Sequence, residues 1–219
     1  MQKTTYSHLF LFVLYVVFGG ILCAQPNNVN LKEGDILFQH LNCGPMCEAI
    51  EAVTQGVDGK KFAHCALVIK INDSLKVVEA IGNKVQLNSL AAFFARSGDT
   101  NALKNITIGR LKKEFKHLVK DAMAFAERQI GQPYDDEFLL DNGKWYCSEL
   151  LYESFKVANN HKDFFLLYPM TYKLPGSNDY FPVWIDYYLG LNAPIPEGKP
   201  GINPGSISRS DKIEIIKYP

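Results

Sequence analysis

The candidate nucleophile of this sequence is Cys147, in the segment Lys-Trp-Tyr-Cys-Ser-Glu-Leu-Leu that spans residues 144–151. A polar, acidic loop precedes it, and an amphipathic helix is predicted from about Cys147 to Ala158. The unpaired N–H groups in the first turn of a helix favour a thiolate and can hold an oxyanion. A free cysteine is also commonly a small apolar residue packed under a helix, so position alone leaves both interpretations open.

Two polar residues interrupt two predicted strands that are otherwise apolar. His64 lies in the run 62–71, and Glu79 lies in the segment 75–81. A lone histidine on such a strand is more often a core residue than a catalyst, but a buried carboxylate is costly unless a cation or hydrogen-bond donors meet it. A hairpin turning at 72–74 would place the two on adjacent strands. Glu79 would then fix the tautomer of His64 and leave its other ring nitrogen for a thiolate.

Five short segments occur in a fixed order along the chain. They are Gly-Asp-Ile-Leu-Phe-Gln (34–39), Ala-His-Cys-Ala-Leu-Val (63–68), Val-Glu-Ala (78–80), Gly-Gln-Pro-Tyr-Asp (131–135) and Tyr-Cys-Ser-Glu-Leu (146–150). This ordered set resembles the YiiX-type permuted papain-like amidases of the NlpC-like superfamily. The resemblance spans roughly 34–160, and the segment Ile-Ser-Arg-Ser-Asp-Lys-Ile at 207–213 is similar to the closing stretch of the family.

The resemblance implies a catalytic role for three residues and no metal or organic cofactor. Cys147 would be the nucleophile on a helix N-terminus, His64 the base on the sheet, and Glu79 the residue that orients the histidine. A tyrosine of the Gly-Gln-Pro-Tyr segment lines such active sites and would contact the substrate or its oxyanion. The residues assigned to substrate binding are Tyr134, Asp135 and Tyr146.

The sequence departs from the family pattern in two places. Cys65 follows His64, where many relatives have valine or a similar small apolar residue. The segment 169–210 matches no pattern of the family, which leaves the shape of the substrate site open.

Apolar patterning predicts an α+β protein, and the resemblance specifies a circularly permuted papain-like fold with a small antiparallel sheet packed against helices. The clearest helix is 113–130, whose apolar residues recur every three to four positions and which Gly131 and Pro133 terminate. The other predicted helices are 44–54 and 147–158, and the predicted strands are 34–39, 62–71, 75–81, 84–87, 106–111 and 212–218.

A metal site is the main alternative use of the cysteines near the N-terminus. Cys43 and Cys47 have a spacing that zinc ligands permit, but no second matching pair follows. Cys65 should point away from His64 on a strand, so no metal site is predicted. A disulfide between Cys43 and Cys47 stays open, since one helical turn is an awkward geometry for it.

Two further segments have more than one interpretation. The loop that contains Asp135, Asp136, Glu137 and Asp141 is either a solvated acidic loop or the edge of a site for a cationic group such as an amine. The aromatic residues between Tyr180 and Tyr188 either pack in the core or against a groove, or form a platform for a carbohydrate or acyl group.

Residues 1–24 have the pattern of a secretory signal peptide. One charge, Lys3, precedes an apolar run, and a cut after Ala24 would leave 25–219 as a single domain. The 14 residues from Leu9 to Leu22 are short for a membrane span, which needs about 20. Acylation of Cys23 is the rival interpretation, and the large residue before it favours plain export. The protein is therefore predicted to be periplasmic or extracellular, with no stable membrane span after cleavage.

The overall composition excludes several classes of protein. The chain has 219 residues with 23 Lys and Arg against 23 Asp and Glu, and 47% of its residues are hydrophobic. This apolar content argues against disorder, and a formal charge of zero provides no field that would attract nucleic acid. Five cysteines are too few for a disulfide scaffold that replaces a core.

These observations predict an exported cysteine amidase or peptidase that acts through an acyl-enzyme. The resemblance implies an amide of an amino acid, a short peptide or a cell-wall peptide as substrate. The alternatives are an acyltransferase or thioesterase on the same fold, and a non-catalytic module that binds cell-wall peptide or lipid.

Overall fold

A computed structural model describes residues 30–98 and 105–216 of the chain. The predicted signal peptide and Cys23 lie outside these ranges. The strands are β1 Ile36–Gln39, β2 His64–Ile71, β3 Ser74–Ile81, β4 Lys84–Ser89, β5 Ile106–Leu111, β6 Tyr168–Pro169, β7 Pro200–Gly201 and β8 Ile213–Ile216. The α-helices are α1 Pro45–Val53, α2 Leu90–Ala95, α3 Val119–Arg128, α4 Cys147–Ala158, α5 Pro182–Leu191 and α6 Pro204–Ser208. This confirms the predicted α+β class.

Six strands form one antiparallel sheet in the order β4-β3-β2-β1-β5-β8. The hairpin predicted around 72–74 joins β2 to β3 and pairs Ile71 with Ser74. The last strand lies at the sheet edge beside β5, as the alternation in 212–218 predicts. Strand β6 pairs with β7 in a separate two-stranded sheet. None of the helices in the described ranges is long and apolar enough to cross a membrane.

Different helices pack against the two faces of the main sheet. One face packs against α3 and α4 and includes Cys65, Leu67 and Val78. The other face packs against α2 and includes Ala66 and Val77. Because successive side chains of a strand point to opposite faces, His64 faces the α2 side, where its ring lies 6.0 Å from that of Phe93. The sheet thus separates the direction of His64 from that of its neighbour Cys65.

The predicted helix 113–130 differs from the structure in both of its ends. The segment Lys113–Leu118 is a 3₁₀ helix, and the α-helix begins only at Val119. Tight 3₁₀ turns are frequent at the start of α-helices, and a 3.6-residue apolar pattern does not distinguish them. The α-helix ends at Arg128, shortly before Gly131, whose φ of 93° favours glycine.

The segment 169–210, which matches no pattern of the family, contains α5 and α6. Helix α5 contributes Trp184 and Tyr188 to a small apolar cluster with Tyr172 and Ala49 of α1. The aromatic residues therefore have packing roles, and they hold α1 against the rest of the molecule.

The structure pairs Cys43 with Cys47 in a disulfide whose Cα atoms lie 5.4 Å apart. Cys43 precedes α1 and Cys47 lies in its first turn. Gly44 between them has φ 75°, a backbone conformation that glycine adopts without steric cost. One turn of regular helix is an awkward geometry for a disulfide, but here the chain turns at Gly44 before α1 begins, which brings the two cysteines together.

The carboxylate of Asp35 is fully buried beside β5. Arg110 binds it through two hydrogen bonds of 2.6 and 2.7 Å, and the N–H of Lys32 donates a third of 2.7 Å. We expect Arg110→Met to destabilise the protein by about 3–5 kcal/mol, since it leaves a buried charge without its cation. Urea unfolding measures this change.

The exposed pair of Lys70 and Asp73 provides a matched control for that measurement. Their side chains are 46% and 95% exposed, so Lys70→Met should cost less than about 1 kcal/mol. Equal midpoints for the two variants would contradict a structural role for the buried pair.

Candidate active site

Cys147 is the first residue of α4, which packs against β2 and β3. Its side chain is 9% exposed. The residue before it, Tyr146, is the N-cap, and its backbone N–H donates to the Glu149 carboxyl group at 3.4 Å. The N–H of Cys147 lies in the first turn, where backbone N–H groups have no partner within the helix. This places a thiol next to the positive end of a helix dipole, as the sequence predicts.

His64 and Glu79 form a close, buried pair. The Nε2 atom of His64 lies 2.6 Å from Oε2 of Glu79, and the carboxylate has no exposed surface. Because Nε2 bonds the carboxylate, Nδ1 is the ring nitrogen that is left for Cys147. The structure therefore brings together all three residues that were predicted to be catalytic.

Two further residues hold the carboxylate of Glu79 in its ionised form. Arg96, just after α2, donates to both oxygens at 2.5 and 2.6 Å, and Asn88 donates to Oε1 at 2.9 Å. Burial alone would raise the pKa of Glu79, but the hydrogen bonds and the charges of His64 and Arg96 lower it below its usual value. Glu79 is thus a carboxylate that accepts from three residues.

The environment of His64 and Cys147 favours an ion pair between them. Burial alone would lower the pKa of His64, yet hydrogen bonds and charge interactions with Cys147 and Glu79 raise it to about 9. The pKa of Cys147 is lowered well below its usual value by hydrogen bonds with Cys65 and His64, against the opposing effect of burial. A thiolate next to an imidazolium is the activated form of a cysteine nucleophile.

Cys65 lies on the other side of β2 from the histidine ring, under the start of α4. The pairing of β2 with β3 runs from Leu67↔Val78 to Ile71↔Ser74, so residues 64–66 lie beyond its end. Interactions with both the side chain and the backbone of Cys65 lower the pKa of Cys147. The predicted orientation of Cys65 away from His64 therefore brings it to the nucleophile.

Glu149 lies two residues after Cys147 and is buried. Burial, followed by the negative charge of Asp135, raises the pKa of Glu149 to about 9. The side chain is consequently neutral near pH 7. A neutral Glu149 side chain does not repel the negative charge of the nearby Cys147 thiolate.

A cleft opens beside Cys147 between α1, the start of α4 and the segment that carries α5. The predicted substrate-binding residues Tyr134 and Tyr146 both line it. Burial and the negative charge of Cys147 raise the pKa of Tyr134 well above its usual value, so its hydroxyl is a proton donor. The Tyr146 hydroxyl accepts the N–H of Ile202 at 3.2 Å. The remaining lining residues are uncharged: Ile50, Val53, Thr54, Ala63, Phe138, Ser148, Met170, Thr171, Tyr172, Trp184, Ile202, Asn203 and Pro204.

Asp135, the third predicted substrate-binding residue, does not line this cleft. Its carboxylate is fully buried and accepts the backbone N–H groups of Glu137 and Leu139 at 3.1 and 2.6 Å. It therefore holds the turn that follows Tyr134. The neighbouring Asp136 accepts a hydrogen bond from the hydroxyl of Tyr187 at 3.1 Å.

The described residues contain no group of three or more histidine, cysteine, aspartate or glutamate side chains arranged to hold a metal ion. Cys43 and Cys47, the pair that suggested zinc, are bonded to each other. Their thiols are thus not available as metal ligands.

Arg96 and Asn88 are the residues at this site that sequence reasoning missed. Arg96 lies 17 positions after the carboxylate it binds, and it follows a short helix that carried no chemical motif. A buried glutamate calls for a cation, but the sequence does not say which one reaches it. Phe93, over whose ring the guanidinium lies at 5.2 Å, helps to fix the arginine in place.

We expect Arg96→Met to slow the alkylation of Cys147 at neutral pH by about ten-fold. Without the guanidinium, Glu79 stabilises the imidazolium of His64 less well, and the thiolate loses part of its counter-charge. The rate of carboxamidomethylation by iodoacetamide measures the effect. Arg128→Met is the matched control, because Arg128 also lies over a phenylalanine but is exposed. An equal rate in both variants would contradict a positioning role for Arg96.

Comparison with known proteins agrees with this geometry. A family model described as permuted papain-like amidase enzyme, YaeF/YiiX, C92 family, matches residues 30–217. The fold is similar to the crystal structure of metalloprotein yiiX from Escherichia coli O157:H7, with a TM-score of 0.67 and 20% identity over 86% of this chain and 97% of the other. No curated protein matches the chain.

Proposed function

Because the chain belongs to the C92 family of permuted papain-like amidases, we propose that it hydrolyses an amide bond through an acyl-enzyme on Cys147. The observation that carries the proposal is the series of interacting groups that runs from the partly exposed Arg96 through the buried Glu79 and His64 to Cys147. A cysteine with only a packing role would not require a series of charged side chains that ends at its thiol.

In the acylation step, the Cys147 thiolate attacks the carbonyl carbon of the substrate. The carbonyl oxygen becomes an oxyanion, for which the Cys147 N–H and the Tyr134 hydroxyl are the proposed donors. His64 then gives its Nδ1 proton to the amine nitrogen, the C–N bond breaks, and a thioester remains.

In the deacylation step, neutral His64 takes a proton from water, and the resulting hydroxide attacks the thioester carbonyl. The C–S bond breaks, the acid leaves, and the thiolate–imidazolium pair is restored. Glu79 bonds Nε2 throughout and stabilises the imidazolium whenever it forms.

The proposed substrate is an amide of an amino acid or a short peptide, with cell-wall peptide as a candidate source. The uncharged lining of the cleft supports an uncharged group next to the scissile carbonyl, since an unpaired charge would be desolvated there. A cationic amine is disfavoured at Asp135, because its carboxylate already accepts two backbone N–H groups.

We also propose that the protein is exported. The signal-peptide pattern in 1–24 supports this, and so does the Cys43–Cys47 disulfide, because such bonds persist mainly in oxidising compartments. Mass spectrometry of the secreted protein would show whether the chain begins at Gln25 or carries an acylated Cys23.

Trapping of the acyl-enzyme tests the catalytic proposal. The protein is mixed with a panel of chromogenic aminoacyl and dipeptidyl amides, quenched in acid during turnover, and mapped by mass spectrometry. We expect the acyl group on the peptide that contains Cys147, and neutral apolar residues to be preferred over lysine at the scissile carbonyl. Turnover that persists after Cys147 has been fully alkylated would refute the proposal.

A further inference from the structure

The amide-hydrolysis mechanism gives no covalent role to Cys65, although its side chain contacts the nucleophile. Cys65 lies on the face of β2 that packs against α4, in the same apolar cluster as Cys147. Helix α4, which begins at Cys147, packs on β2, and the interaction with the Cys65 side chain is the main cause that lowers the pKa of Cys147. Both are free thiols, whereas Cys43 and Cys47 are already bonded to each other.

The two thiols differ in their access to solvent. Cys147 lines the cleft and is 9% exposed, but Cys65 is fully buried. A small oxidant that enters the cleft therefore meets Cys147 first. Cys65 is shielded from external thiols, and its thiol interacts with that of Cys147.

From this juxtaposition we infer that Cys65 is a resolving cysteine, which converts oxidised Cys147 into a reversible Cys65–Cys147 disulfide. The oxidant class is a hydroperoxide, with hydrogen peroxide as the simplest member. The inference goes beyond the proposed amide hydrolysis. The one feature that it shares with that function is the thiolate form of Cys147.

The chemistry balances in two steps. The Cys147 thiolate attacks one peroxide oxygen, the O–O bond breaks, and the hydroxide that leaves takes a proton from the His64 imidazolium to become water. Cys147 is now a sulfenic acid, oxidised by two electrons.

In the second step the Cys65 sulfur attacks that of Cys147 while the proton of the Cys65 thiol passes to the sulfenic oxygen. The S–O bond breaks, the S–S bond forms and water leaves. In sum, two thiols and one peroxide give one disulfide and two waters. A dithiol reductant reverses the change, whereas further oxidation to the sulfinic acid would be irreversible.

The oxidation state of the two cysteines tests this inference. The full chain is treated with hydrogen peroxide, digested with trypsin without reduction, and searched for a cross-link between peptides 62–70 and 145–156. We expect this cross-link in the wild type. After treatment with a dithiol reductant, labelling of Cys147 by iodoacetamide should recover at least about ten-fold more in the wild type than in Cys65→Ser.

Absence of the cross-link, with Cys147 gaining two oxygens at the same rate in wild type and Cys65→Ser, would overturn the inference. Serine retains the size and a hydrogen-bond donor, and Cys65→Ala serves in its place if Cys65→Ser does not fold. The wild-type cross-link also decides the question without any variant. An inactive protein that forms it still supports the inference, and an active protein that does not form it refutes it.

Discussion

Replacing Cys147 with alanine is expected to lower kcat/KM for amide hydrolysis by at least about 10⁴-fold. The variant has no group that can form the thioester, while the fold is retained because the side chain is small and partly lines a cleft. The measurement compares initial rates on the best chromogenic amide from the panel, with circular dichroism to confirm folding.

Cys147→Ser is the matched control for this prediction. It keeps the size of the side chain, but a serine hydroxyl does not ionise beside His64 as a thiol does. We therefore expect it to be nearly as inactive as Cys147→Ala. Substantial hydrolysis by either variant, above the rate of a mock preparation, would mean that another group attacks the carbonyl.

Glu79→Gln is expected to lower kcat/KM by about 10²–10⁴-fold. The amide has the shape of the carboxylate but lacks its charge, so the pKa of His64 falls from about 9 and the thiolate–imidazolium pair is less populated. His64 then loses its proton at lower pH. The alkaline limb of the pH–rate profile should therefore move to lower pH, which narrows the profile.

The exposed Glu127→Gln provides a control that removes one negative charge without touching the site. Its pH–rate profile should match that of the wild type. If Glu79→Gln lowered the rate without narrowing the profile, the carboxylate would have a structural role only. Unchanged turnover, together with an inactive His64→Ala, would refute the orienting role altogether.

Much of the site could be predicted from local sequence patterns. The apolar patterns of β2 and β3 and the turn at 72–74 predicted that His64 and Glu79 lie on adjacent strands of one hairpin. The paired register ends at Leu67↔Val78, so the contact between the two side chains is a finding of the structure. The helix that begins at Cys147 could also be predicted from the sequence, because a polar loop precedes it and its apolar residues recur at helical spacing.

The parts that could not be predicted depend on contacts between distant segments or on backbone conformation. Arg96 reaches Glu79 from beyond α2, and Cys65 reaches Cys147 only because α4 packs on that face of the sheet. The disulfide required the turn at Gly44, which no side-chain pattern encodes. Asp135 was assigned to substrate binding from its position beside Tyr134, whereas its carboxylate holds the local backbone.

The pH dependence of iodoacetamide labelling at Cys147 tests the central claim that this residue is a thiolate paired with His64. Labelling in the wild type should stay rapid down to about pH 5–6, and the rapid reaction should be lost in His64→Ala. Labelling that rises only near the free-thiol pKa of about 8.5, or the same profile in both proteins, would show that Cys147 is an ordinary thiol and contradict the account.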